Sequence, residues 1–96
     1  MLWYLQAMVS IKEAVQSAIA FALETLGAGR TEGLRLEEVE SANVNGSDAW
    51  LITLSMLSAP PPLGIDVFSN RDYKVFTVLK NTGEVTSMKI RELATT

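Results

Sequence analysis

The chain of 96 residues contains no cysteine and no histidine. Without cysteine there is no disulfide and no thiolate nucleophile, and without histidine the commonest proton-transfer group near neutral pH is missing. Both are also the usual ligands of zinc. The two absences exclude Ser-His-Asp and Cys-His catalytic arrangements and leave rarer chemistries, such as carboxylate pairs or Ser-Lys dyads. We therefore predict a protein that is not an enzyme, with no catalytic residue, metal site or cofactor.

Clustered positive charge and long apolar runs are missing as well. Eight Lys and Arg residues are scattered among eleven Asp and Glu, which gives a formal charge of −3. Nucleic-acid binding needs clustered basic side chains, and so does binding to an anionic membrane surface. Residues 1–9 are mostly apolar, but no Lys or Arg precedes Lys12, so the basic region of a signal peptide is absent. We expect no nucleic-acid or membrane partner and a cytoplasmic location.

The sequence has enough apolar residues for one folded core. Hydrophobic residues make up 48% of the chain and charged residues 20%, a composition typical of globular domains. The length is near that of one domain, and two domains would each have too little interior. We predict one α+β domain over residues 10–93, after an N-terminal extension (1–9) and before a short tail (94–96).

A helix is predicted from about Ser10 to Leu26. Ser10 and Glu13 have the spacing of a capping box, in which each side chain bonds the other's backbone N–H. Gly27 follows the last turn and favours a helix end there. The apolar residues recur at helical period in one stripe, formed by Ile11, Val15, Ala18, Ile19, Ala22, Leu23 and Leu26.

After the helix, alternating apolar and polar residues predict a four-stranded antiparallel meander. The first strand begins near Leu34, and a slip in its alternation at Glu38-Val39 predicts a bulge. Asn45-Gly46 is a strong hairpin signal. In the second strand one apolar face is expected under the helix, formed by Trp50, Ile52, Leu54 and Met56.

Strands three and four, Tyr73 to Leu79 and Val85 to Arg91, complete the sheet. Gly83 is expected to take the left-handed position of their turn. Strand three is apolar on both faces and should be central. Because one helix covers one face, the other face needs a cover. We consider three candidates for it: the loop of residues 58–71, Leu2 to Leu5, or a second subunit.

That loop is the predicted partner-binding site. It is long for a hairpin connection, and long loops in small domains are often functional. Its prolines favour extended backbone, and its apolar residues are unusual for a solvated loop. The predicted partner-binding residues are Pro60, Pro61, Pro62, Leu63, Ile65, Val67 and Phe68.

Charged residues mark both predicted edge strands. Glu37, Glu38 and Glu40 on strand one could hold a metal, but alternate strand residues point to opposite faces, which favours a solvated edge. Lys89 and Arg91 on strand four could bind an anion or prevent open-ended sheet pairing, and we favour the second role. An acidic edge and a basic edge also permit complementary strand-to-strand association.

The hairpin from Tyr73 to Val85, with Thr82-Gly83 in its turn, resembles the PepSY signature, a strand ending in Asp-x-x-Thr-Gly followed by a strand beginning with Val. The resemblance implies a small α+β module of the cystatin type, usually extracytoplasmic, that inhibits or regulates peptidases. The whole chain is also similar to small bacterial proteins without assigned activity that end in a Tyr-x-Val-Phe-x-Val hairpin and a Ser-Met-Lys-Ile-Arg strand.

These observations together favour a non-enzymatic protein-interaction or regulatory module that binds another protein or self-associates as a homo-oligomer. The expected contact surfaces are the loop from Pro60 to Phe68 and the sheet face away from the helix. One alternative is a small-molecule-binding or enzymatic domain with a pocket between the 58–71 loop and the sheet. Another is a PepSY-like peptidase regulator.

Overall fold

The computed structural model describes residues 8–58 and 71–91 of the chain. Helix α1 spans Ile11–Leu26 and begins with the predicted capping box. The Glu13 backbone N–H donates to Ser10 Oγ at 3.1 Å, and the Ser10 N–H donates to Glu13 Oε1 at 2.9 Å. The helix ends at Gly27, whose φ of +84° few other residues adopt cheaply. A short 3-10 helix, Ala28–Arg30, follows.

Four antiparallel strands form one sheet in chain order, which confirms the predicted α+β fold. They are β1 (Arg35–Val44), β2 (Ser47–Leu57), β3 (Arg71–Leu79) and β4 (Val85–Ile90). Strands β2 and β3 are central, and β1 and β4 are the edges. Within the described residues, no helix is both long and apolar enough to cross a membrane.

The turns and the bulge follow the local sequence signals. Asn45 and Gly46 both have positive φ, +52° and +86°, as a tight hairpin turn requires. Gly83 has a φ of +79° in the β3–β4 turn, which confirms its predicted left-handed position. The register between β1 and β2 shifts between Leu36 and Glu38, one residue before the predicted slip.

The core lies between α1 and one face of the sheet. The helix packs on β2, β3 and β4. On the sheet side, the buried residues are three of the four on the predicted helix-covered face of β2, together with two of β3: Ile52, Leu54, Met56, Phe76 and Val78. Phe21 of the helix meets Phe76 edge to face, with ring centroids 6.2 Å apart. Trp50 is only partly buried, at the margin of this core.

The buried line of α1 differs from the predicted stripe. Its centre is Ala14, Ala18 and Ala22, all fully buried, whereas Ile11 and Leu23 remain 48% and 47% exposed. The alanines repeat every four residues, so they stand one above the other. Small side chains along that line let the helix backbone approach the sheet closely, and the larger residues then flank the contact.

Candidate functional site

The sheet face opposite α1 is the candidate site. We call it the open face because no helix or strand formed by residues 8–58 and 71–91 lies over it. Along a strand, alternate side chains point to opposite sides, so the residues between the core positions of β2 and β3 face away from the helix. The register aligns them in pairs, which are Leu51 with Thr77, Thr53 with Val75, and Ser55 with Tyr73.

The predicted partner-binding residues Pro60, Pro61, Pro62, Leu63, Ile65, Val67 and Phe68 all lie outside the described residues. The structure does describe the residues on either side of this segment. Leu57 at the end of β2 pairs with Arg71 at the start of β3, so the intervening segment leaves and rejoins the sheet at one end.

A polar cluster on the open face lies beside that end. Ser55 is 0% exposed, and its hydroxyl donates to Glu37 Oε2 at 2.6 Å and accepts from Arg71 Nε at 2.8 Å. Arg35 Nε also donates to Glu37 Oε2, at 2.6 Å. The Ser55 hydroxyl, and next the Arg35 guanidinium, hold the pKa of Glu37 below its usual value near 4.5. The same carboxylate raises the pKa of Arg35.

The hydrogen bonds of this cluster hold several segments of the chain together. Arg71 also donates to the backbone carbonyl of Gly33, so one guanidinium joins the start of β3, the end of β2 and the chain just before β1. A nucleophilic Ser55 would need an oxygen that a substrate can reach, and this oxygen is buried between a carboxylate and a guanidinium. The cluster therefore joins three segments of the fold beside the site.

A second polar contact crosses the whole open face. Arg91, one residue beyond β4, donates to the carboxylate of Glu38 on β1 and, at 3.1 Å, to Thr53 Oγ1 on β2. Hydrogen bonding to Glu38, and its negative charge, raise the pKa of Arg91. Arg91 is thus engaged with Glu38 within the chain, and Lys89 lies on the same side of the open face. Binding of an anion by these two residues stays a prediction.

The acidic residues of β1 are arranged differently from the sequence expectation. Because of the bulge, consecutive residues Glu37 and Glu38 both reach partners on the open face, although in a regular strand they would point apart. Within residues 8–58 and 71–91, no group of three or more acidic residues converges to hold a metal ion.

The open face has a depression of about 710 Å³, whose lining runs from Lys89 and Arg91 to Val44 and Asn45 at the β1–β2 turn. Leu51 and Val75 contribute its central apolar surface. Thr77 and Ser87 lie beside them, and their hydroxyls bond each other at 2.9 Å. Lys89 and Arg91 line the side towards β4. An apolar centre with polar margins is the composition of a contact surface.

Neither Ser55 nor Arg71 is predicted from the sequence as a site residue. A signal for Ser55 was present, since Thr53 and Ser55 are polar residues at alternate positions of an otherwise apolar central strand. Buried hydroxyls in such a strand need partners from neighbouring strands. The identity of those partners depends on the register, which no local pattern specifies.

Comparison of the chain with protein-family models, with curated proteins and with solved structures finds no match. The PepSY resemblance of the β3–β4 hairpin therefore stays a prediction.

Proposed function

We propose that the chain is a non-enzymatic protein-binding module and that the open face is its binding surface. The observation that carries this proposal is the depression around Leu51 and Val75. A sheet face that only meets water would be expected to place polar residues throughout its centre, whereas this one places Leu51 and Val75 there, beside the hydroxyl residues of β2 and β3, and charges at its margins.

The geometry of the polar groups supports binding over catalysis. The buried hydroxyl of Ser55 and the partly buried carboxylate of Glu37 bond each other and two arginines, which leaves neither poised towards a reacting group. The sequence also lacks histidine and cysteine, the two side chains most often used for proton transfer and nucleophilic attack.

Site-specific photo-crosslinking in cells that express the chain tests the proposal. A photoreactive residue replaces Thr86, which is exposed and lines the depression, and in a control variant it replaces Lys12 on the exposed side of α1. We expect a discrete protein adduct from position 86 and none from position 12. Val75→Glu should abolish the adduct while the circular dichroism spectrum stays unchanged. No adduct from position 86, or the same adducts from both positions, would overturn the proposal.

A further inference from the structure

We propose that the partner of the open face is a second copy of this chain, bound face to face about a two-fold axis parallel to the strands. This inference rests on the proposed function and names its partner. Its basis is the distribution of charge across the open face. Acidic side chains lie on the β1 side and the basic Lys89 lies on the β4 side, with the apolar centre between them.

The strand register shows this change of charge from β1 to β4. One row across the four strands consists of Glu38, Thr53, Val75 and Lys89. In the next row, Glu40 occupies the β1 position and Leu51 is its neighbour on β2. Both of these rows begin with an acidic residue on β1, and the first ends in a cation on β4. The row of Ser55 and Tyr73 begins instead with Arg35, which is paired with Glu37.

Symmetry then selects one arrangement of two such faces. A two-fold axis parallel to the strands places β1 of each copy over β4 of the other, so carboxylates meet Lys89. An axis across the strands would place β1 over β1 and oppose like charges, which is unfavourable. The chosen arrangement is closed, with the same surface used by both copies. Two stacked sheets lie about 10 Å apart, a distance that Leu51 and Val75 of both copies would fill.

Two charged residues are available for the contact. Lys89 and Glu40 are exposed, and within residues 8–58 and 71–91 neither makes a hydrogen bond or an ion pair. Glu38 and Arg91, in contrast, bond each other within one copy. The two-fold axis brings Lys89 of one copy over the β1 side of the other, level with Glu38, and Glu40 lies in the next row. Lys89 and Glu40 lie on the sheet face, so contact between two faces can bring them together. Edge-to-edge pairing of β1 with β4 would instead produce an open-ended assembly.

Sedimentation equilibrium over a range of protein concentrations tests the inference. We expect a dimer whose dissociation constant rises with salt. Lys89→Glu and Glu40→Lys should each weaken the dimer about tenfold or more, because the axis repeats every lost contact. The double variant, E40K with K89E, should bring the dissociation constant back towards that of the unchanged protein.

The matched control is Lys74→Glu, a reversal of the same charge on the helix side of β3, opposite Ile90. It should leave the dimer unchanged. Equal weakening by Lys74→Glu and Lys89→Glu, or failure of the double variant to recover, would overturn the arrangement. A monomer at high micromolar concentration that still forms an adduct with another protein from position 86 would overturn self-association and leave the proposed function standing. A monomer that forms no adduct would overturn both.

Discussion

The guanidinium of Arg91, just beyond β4, donates to the carboxylate of Glu38 on β1, so this one contact joins the two edges of the sheet. Arg91 also bonds Thr53 on the strand between them. The bulge at residue 37 makes the reach possible, because it places Glu38 over the open face beside the end of the Arg91 side chain. Both side chains remain partly exposed, 39% and 48%, so water screens their attraction.

We therefore predict that the coupling between Arg91 and Glu38 is small and depends on salt. In a double-mutant cycle with Arg91→Gln and Glu38→Gln, the two single changes should shift the urea midpoint slightly, and their effects should become additive at high salt. Urea unfolding at low and high ionic strength measures this. A large coupling that high salt leaves intact would contradict the prediction.

The Glu37 carboxylate should make stability depend on acid pH. Its pKa in the folded protein lies below the usual value near 4.5, chiefly because the Ser55 hydroxyl bonds the charged form. A lowered folded-state pKa stabilises the fold above the unfolded-state pKa, and that contribution is lost as the pH falls through the folded-state pKa. Stability from this group is therefore fully present at neutral pH and lost below about pH 4.5.

Glu37→Gln tests this, because glutamine keeps the shape and removes the charge. We expect the variant to be less stable than the unchanged protein at pH 7 and the two to converge as the pH falls below 4.5. Urea midpoints from neutral pH to about pH 3 provide the measurement. Glu24→Gln, an exposed helix position, is the control and should leave the midpoint at pH 7 unchanged. A constant difference between Glu37→Gln and the unchanged protein at every pH would contradict the assignment.

Local signals in the sequence predict the elements of this fold well. The capping box at Ser10, the Asn45-Gly46 turn and the left-handed Gly83 each depend on a few neighbouring residues, so a short segment contains the whole cause. The bulge is equally local, since one inserted residue changes the strand's alternation at once.

The site was less predictable, because its contacts join distant segments. Ser55, Glu37 and Arg71 come together only through the register of three strands, and no short pattern encodes that register. The prediction of the loop from Pro60 to Phe68 as the partner site falls on residues that the structure does not describe. The helix stripe was misjudged at Ile11 and Leu23 for a different reason. Hydrophobicity ranks side chains by their gain from burial, whereas close packing of helix on sheet selects the small alanines.

That packing predicts different effects of the same substitution at two alanines of the helix. Ala18 is fully buried against the sheet, whereas Ala20 is exposed. Ala18→Leu should cost about 1–3 kcal/mol of unfolding free energy, because a leucine has no space on the contact line. Ala20→Leu should stay within about 0.5 kcal/mol, since leucine and alanine have similar helix propensity and position 20 is open. Urea unfolding compares them, and equal costs would contradict the close approach at Ala18.

Two glycines in different hairpin turns, Gly46 between β1 and β2 and Gly83 between β3 and β4, differ in their surroundings. Gly46 and Gly83 both have positive φ, so alanine at either position should cost about 1–2 kcal/mol in backbone strain. A Cβ on Gly46 would meet nothing within 4 Å, whereas one on Gly83 would lie 3.2 Å from Val9 Cγ2. Val9 cannot easily move away. Its N–H donates to the Lys80 carbonyl at 2.7 Å, and its carbonyl accepts from Trp50 Nε1 at 3.0 Å.

Gly83→Ala should therefore lower the free energy of unfolding more than Gly46→Ala does. The additional loss should come from the contact with Val9. In a Val9→Ala background the methyl group in question is gone, so Gly83→Ala should cost no more than Gly46→Ala does. Thermal or urea unfolding of these variants measures both differences. If Val9→Ala leaves the excess unchanged, the turn does not pack on Val9 as described, and the strain at Gly83 has its source within the turn itself.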